Sequence, residues 1–251
     1  MENCEKCAIR KMRQKNVAKG LKEKSTKPGY HMYIDLTSPK YISTRGSKYW
    51  FLAVDEATHM KFSMFLKHKS EMKESFVPFL KELRHTYGIK IEHTLDVTMQ
   101  EKIMHLRIYV DSGIIFKYTA PGTPQQNGVV ERAFATMLGQ TRAIMNGAGF
   151  DENKRHLFWT EADNTITHLE NMMIRKGMTC APHYLFYGSD SPYAQHLQVF
   201  GKLAIVKVLN ATNKLSDRGM KAIFVGYTDK HAGNVYRFIN PNKHKIYYLV
   251  T

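Results

Sequence analysis

Three cysteines in 251 residues, Cys4, Cys7 and Cys180, are too few for a disulfide framework; the first two form a Cys-x-x-Cys that reads as reduced thiols or half a metal site. No run of about 18 apolar residues occurs that could span a bilayer. The start, MENCEKCAIRKMRQK, is basic but has no apolar stretch behind it, so neither secretion nor membrane insertion is expected. Internal repeats and low-complexity tracts are also lacking, which argues against a solenoid or a disordered chain. Acids are scarce beside bases: 22 Asp+Glu stand against 37 Lys+Arg, a net +15 that points to a polyanionic partner.

The charge is uneven. Residues 1–30 hold nine Lys/Arg against three acids and residues 197–251 nine against two, whereas the middle holds 19 against 17. Basic ends around a near-neutral centre suggest that the ends grip phosphate while the centre folds and reacts; the alternative is that the lysines only keep the chain soluble. The texture gives four regions: a basic arm over 1–29, a core over 30–180, a linker over 181–196 and a small β module over 197–251. In the core, YHMYIDLT, KYWFLAVD and MKFSMFL read as an antiparallel meander. A helix follows, N-capped by Ser70, with Met72, Phe76, Phe79, Leu83 and Tyr87 at helical spacing, a kink or irregularity at Pro78 and an end at Gly88.

IKIEHTLD and IIFKYT are then read as strands around a helix near 100–112. After APGTPQQNG comes an amphipathic helix with Val130, Phe134, Met137, Thr141 and Ile144 on one face, and a further helix spans FWTEADNTITHLENMMIRKG. Hairpin strands followed by alternating helix and strand give an α/β class with a mixed sheet flanked by helices. QVFGKLAIVKVL, KAIFVGYT, NVYRFIN and HKIYYLV give the all-β tail. Trp50, Phe51, Phe158 and Trp159 are assigned to the core.

Three carboxylates are placed where they can converge: Asp35 inside the first strand, Asp96 at the end of a strand that can run beside it, and Glu131 in the first turn of a helix. An ionised group in a strand reading Tyr-Ile-x-Leu costs several kcal/mol unless it is paired or bound to metal. Clustered carboxylates suit Mg²⁺, which favours hard oxygen ligands and two-ion phosphoryl transfer. Spacing alone does not decide this, since a lone Asp in a strand is more often a surface or edge residue.

The segment TAPGTPQQNGVVERAF, residues 119–134, decides it: the segment resembles the signature of copia-type retrotransposon integrases. HMYIDLTSP, KYWFLAVDEATH, LFWTEADNTITHLEN, APHYLFYGSDSPYAQHLQVFGKLA, KAIFVGYT and NVYRFINPNKHKI resemble the family's other blocks in the same order. The resemblance implies an RNase H-like core followed by an SH3-like module, with Mg²⁺ or Mn²⁺ at Asp35, Asp96 and Glu131. It places Gln125, Gln126, Asn127 and Gly128 in a DNA-binding loop, where Gly128 is expected to permit a tight turn and uncharged amides can both donate and accept. The implied activity is 3′ processing and strand transfer of element DNA into target DNA by a homo-oligomer acting in the nucleus, reached in some cases through a cytoplasmic particle. Asp55 and Glu161 match accessory positions, for which surface or capping roles are expected.

Two departures stand out. LDVTMQE replaces the family's Asp-Asn-Gly-x-Glu around Asp96, and the Asp96-to-Glu131 interval is 35, one shorter than the family's. Asp111 is no better match, being too close to Glu131. Cys4 and Cys7 match the end of a His-His-Cys-Cys motif whose histidines do not accompany them, so stable Zn²⁺ binding is not expected, and His31 is read as structural or solvent-facing. The main rival reading is a degenerate or domesticated remnant that binds DNA without catalysis. A third is an RNase H-like nuclease acting on RNA–DNA hybrids, against which PQQNG and the β tail argue.

Overall fold

A computed structural model describes residues 25–90, 93–96, 115–118, 128–207, 217–228, 235–240 and 246–250, with backbone alone for 93–96 and 115–118. The arm with Cys4 and Cys7, the expected helix near 100–112, and Gln125, Gln126 and Asn127 lie outside the described residues.

Five strands form the first sheet: β1 (His31–Thr37), β2 (Tyr49–Asp55), β3 (Lys61–Leu66), β4 (His93–Asp96) and β5 (Ile115–Tyr118), in the order β3-β2-β1-β4-β5. The expected meander is present, since β1 pairs antiparallel with β2 and β2 with β3, while β4 and β5 add in parallel. Among the described residues the helices are α1 (Glu71–Tyr87), α2 (Gly128–Gly147), α3 (Glu152–Met172) and α4 (Pro182–Tyr187). β2, YWFLAVD, is almost wholly buried because both sheet faces are covered, and so it reads as a continuous apolar run instead of an alternation.

Side chains sort by strand parity. Met32, Ile34, Phe51 and Ala53 face α1 and meet Met72, Phe76 and Leu83. Tyr33, Trp50, Leu52 and Val54 face the other way and meet Val130, Phe134 and Met137 of α2 and Trp159 and Ile166 of α3. Trp50, Phe51, Phe158 and Trp159 are all buried, as read from the sequence. The second sheet, β6 (Leu203–Lys207), β7 (Gly219–Tyr227), β8 (Val235–Ile239) and β9 (Ile246–Val250), is an antiparallel meander, one strand from each of the four expected runs. The stretch 181–196, read as a linker, contributes α4, and its Phe186 packs into the α1 cluster while Tyr193 joins the core of the second sheet.

α3 is a buried helix written largely in polar residues: Thr160, Glu161, Asp163, Asn164, Thr165, Thr167, Glu170 and Asn171 are all buried. It lies against α2, β3 and β7 at once, so several of these polar groups find partners on other elements. Ser63 and Thr167 share a hydroxyl bond of 2.7 Å, and Gln140 Nε2 donates to Glu170 Oε1 at 2.6 Å. Asn171 pairs with the free edge of β3: Lys61 N–H donates to Asn171 Oδ1 at 2.8 Å, and Asn171 Nδ2 donates to the Lys61 carbonyl at 2.7 Å.

Asp163 accepts from the Thr141 hydroxyl, yet burial outweighs that bond and pushes its carboxyl up to about 8. Between the ordinary carboxylate range and about 8 the folded chain keeps a proton the unfolded chain has released, so this group makes stability fall as pH rises through that window. Asp163→Asn removes the dependence. The variant's melting temperature should gain on the parent's progressively from pH 5 to pH 9; an equal difference at both pH values would contradict an acid kept neutral.

Four expectations change. Ser70 sits in the right-handed helical region (φ −63, ψ −26) and makes no side-chain cap bond, because capping geometry needs an extended backbone at that position. α1 runs through Pro78 without a break and ends, as expected, on a left-handed Gly88. Asp55 is fully buried, not a surface residue: Gly29 N–H and the Thr58 N–H and hydroxyl all donate to it, so it shapes the β2–β3 turn and fastens the chain entering β1. Glu161 is fully buried too, paired with Arg237 of β8.

Candidate carboxylate active site

Asp35 lies near the end of β1, a central strand, and pairs across to Leu52. By strand alternation it shares its face with Tyr33, the face covered by α2. The carboxylate is half-buried, and its Oδ1 accepts from Leu36 N–H at 2.8 Å. Glu131 stands in the first turn of α2, as expected, next to Val130, which is completely buried against that face, while Glu131 itself is exposed. The fold thus brings Asp35 and Glu131 to one side of the sheet from positions 96 residues apart in sequence.

Asp96 ends β4, whose parallel register pairs it with Ile34, the residue before Asp35. Its backbone is therefore beside β1; its side chain lies outside the described residues. Gly128 opens α2 with no left-handed φ, and a Cβ there would meet nothing within 4 Å, so neither backbone conformation nor crowding by described atoms demands glycine. The turn expected to lead into the helix falls on residues outside the described ones. Among the described residues no group of three or more His, Cys, Asp or Glu forms a ready cation site, a statement that does not reach Asp96. The donor set of the candidate site is carboxylate oxygen, the chemistry that suits Mg²⁺ or Mn²⁺ and not a soft metal.

His31 is structural, not a stray metal ligand: it is buried, its Nδ1 lies 3.0 Å from Glu56 Oε2, and Tyr33 donates to the same carboxylate at 2.6 Å. Burial pushes the Glu56 carboxyl up, but the bonds from Tyr33 and Ser25 and the charge of His31 outweigh it and hold the group below its usual range. A cleft of about 1060 Å³ opens elsewhere, between β3, α1, α3 and β8, and neither Asp35 nor Glu131 lines it. The sequence signal that went unread was the polar cluster on α3 and the lone Arg237 between apolar neighbours in VYRFI.

No described helix is long and apolar enough to cross a membrane. No protein-family model matches the chain. It is 30% identical over 220 residues, 86% of its length, to the retrovirus-related Pol polyprotein from transposon TNT 1-94 of Nicotiana tabacum. It is 26% identical to those from transposons RE1 and RE2 of Arabidopsis thaliana, each over 81% of its length. The chain spans 16% of the tobacco protein and 14% of each Arabidopsis protein. Its fold is similar to a chain in the cryoEM structure of the simian T-cell lymphotropic virus intasome in complex with PP2A regulatory subunit B56 gamma. That likeness has a TM-score of 0.50 over 90% of this chain and 78% of that one, at 13% identity, and speaks for the fold alone. Over more than four fifths of its length, then, this chain is a relative of a segment of the retrovirus-related Pol polyproteins of plant transposons.

Proposed function

We propose that the chain is the integrase segment of a retrotransposon Pol polyprotein, an RNase H-like core with an SH3-like module that processes 3′ ends of element DNA and joins them to target DNA. The observation that carries the reading is Asp35 near the end of the central strand, on the face covered by α2, whose first turn holds Glu131 just beyond PQQNG. The sheet order, three antiparallel strands followed by two parallel ones, supports an RNase H-like core.

Asp35, Asp96 and Glu131 would hold Mg²⁺ or Mn²⁺, which when bound activates a water or 3′-hydroxyl and stabilises the leaving oxygen. The chain's own part is positional. Hydrogen bonding across the sheet holds Asp35, and the burial of Val130 anchors the first turn that carries Glu131. The basic ends supply phosphate contacts on DNA, and a homo-oligomer would bring two element ends together in the nucleus. Cys4 and Cys7 alone would not hold Zn²⁺ stably.

The altered stretch after Asp96 and its pairing with Ile34 instead of Asp35 favour, as a second reading, a remnant that binds DNA without joining it. Labelled element-end DNA incubated with target DNA separates the two. Joined product with Mg²⁺ or Mn²⁺, none with chelator, and affinity that falls steeply with salt support the integrase. Salt-sensitive binding with no product in either metal supports the remnant, and absence of binding overturns both.

A further inference from the structure

The second sheet is seated on α3 by directional contacts. Glu161 of α3, fully buried, is ion-paired with Arg237 in the middle of β8, itself 7% exposed. One turn along α3, the Thr165 hydroxyl donates to the Val225 carbonyl at 2.9 Å. Gly226, at φ 137, lies so close to Thr165 that any Cβ there would overlap its hydroxyl. Around these ties Phe150, Phe158 and Ala162 from the core, Phe200 just before β6, and Val225 and Ile239 from the second sheet form one apolar cluster. On the other side of Arg237, its guanidinium stands 5.9 Å from the Tyr248 ring centroid, and Arg45 of the β1–β2 loop donates to the Tyr248 hydroxyl at 2.6 Å.

Apolar contact is not directional and leaves two packed surfaces free to slide; a buried guanidinium–carboxylate pair fixes an angle, because leaving either charge unpaired is costly. α3 is in turn fixed to α2 through Asp163 with Thr141 and Glu170 with Gln140. The orientation of the second sheet is thereby referred to the helix that carries Glu131. We propose that Glu161 and Arg237 are a positioning pair, setting the angle at which the basic β module stands to the Asp35 and Glu131 face so that one rigid body meets the nucleic acid. The part concerning nucleic acid rests on the function proposed above; the part concerning orientation does not.

The test uses the full chain with Cys4, Cys7 and Cys180 changed to Ser and spin labels at Arg84→Cys on α1 and Lys221→Cys on β7, both exposed. Pulsed distance measurement should give one narrow distribution in this parent. Glu161→Gln and Arg237→Gln should each broaden or shift it under conditions where circular dichroism shows the fold intact, which a merely stabilising pair would not do. Thr165→Val removes a tie without stranding a charge and should broaden the distribution to a smaller degree, so the test survives if the charge variants fail to fold. Affinity for a DNA duplex should fall about tenfold in the charge variants as two fixed surfaces become independent. Unchanged distributions in every folded variant overturn the proposal. A narrow parent distribution that broadens in the variants, with no DNA affinity in any of them, upholds the positioning pair and overturns the nucleic-acid reading.

Discussion

Glu131→Gln should abolish metal-dependent DNA joining, by about 10³-fold or more, while DNA binding and folding persist. Folding should be spared because Glu131 is exposed, and exposed substitutions of this kind usually stay within about 0.5 kcal/mol. The loss would therefore be chemical. Asp35→Asn and Asp96→Asn should fall as far, and the double variant Asp35→Asn with Glu131→Gln no further than either single one, because one missing ligand already dismantles the shared ion cluster. Rates measured on preformed DNA ends at saturating Mg²⁺ and Mn²⁺ decide the matter. A variant that keeps parental rate removes its residue from the site. Full activity in Asp96→Asn alone would move the third ligand into the stretch beyond β4, where LDVTMQE departs from the pattern expected of the resemblance.

Glu170→Ala should be among the most damaging changes to stability, at about 3–5 kcal/mol near pH 6, because there it strands a buried cation. Glu170 and Lys61 have side chains only 4% and 2% exposed and lie 3.1 Å apart, and Arg175 pairs with the same carboxylate from a more open position at 38%. One carboxylate cannot neutralise two cations. Burial, and then the charge of Arg175, push the Lys61 ammonium down to about 7. Between about 7 and the ordinary lysine range the unfolded chain holds a proton the folded chain lacks, so this group makes stability rise with pH across that window. The unfolded chain's lysine is common to parent and variant, so the cost of Glu170→Ala should shrink as pH rises from 6 to 8, through the folded Lys61 value of about 7, and Arg175→Met should cost far less than Glu170→Ala at either pH. Urea unfolding at the two pH values measures this; a cost below about 1 kcal/mol, or one that grows with pH, would remove Glu170 as the anchor of the cluster.

The strands and helix faces were legible in the sequence because apolar residues mark them, as short runs bounded by turn residues in β1 to β3 and in the second sheet, and at helical spacing on the face of α2 from Val130 to Thr141. The placement of Glu131 followed from the same periodicity. What the sequence hid was three-sided burial. Periodicity reports one buried face, whereas α3 is enclosed by α2, β3 and β7 and pairs several of its polar groups with partners up to 110 residues away. Glu161 and Asp55 therefore looked like surface acids, since a buried carboxylate is recognisable only once its partner, Arg237 or Thr58, is placed beside it. Ser70 misled for the opposite reason: residue type suggested a cap, but backbone conformation decides whether a side chain can serve as one.

The two hydrogen bonds between Asn171 and Lys61 have a consequence for where the first sheet stops. A carboxamide carries the same donor and acceptor as a peptide group, so at this residue the side chain stands in for a neighbouring strand and occupies the outward-facing rung of β3 at Lys61. An edge strand left open is a template for further strands, from this chain or another, and proteins usually guard it with charge, proline or a bulge. Among the described residues, an amide on a packed helix covers one rung of that edge. The outer limit of the sheet is thus written into α3, more than one hundred residues downstream of the strand it terminates.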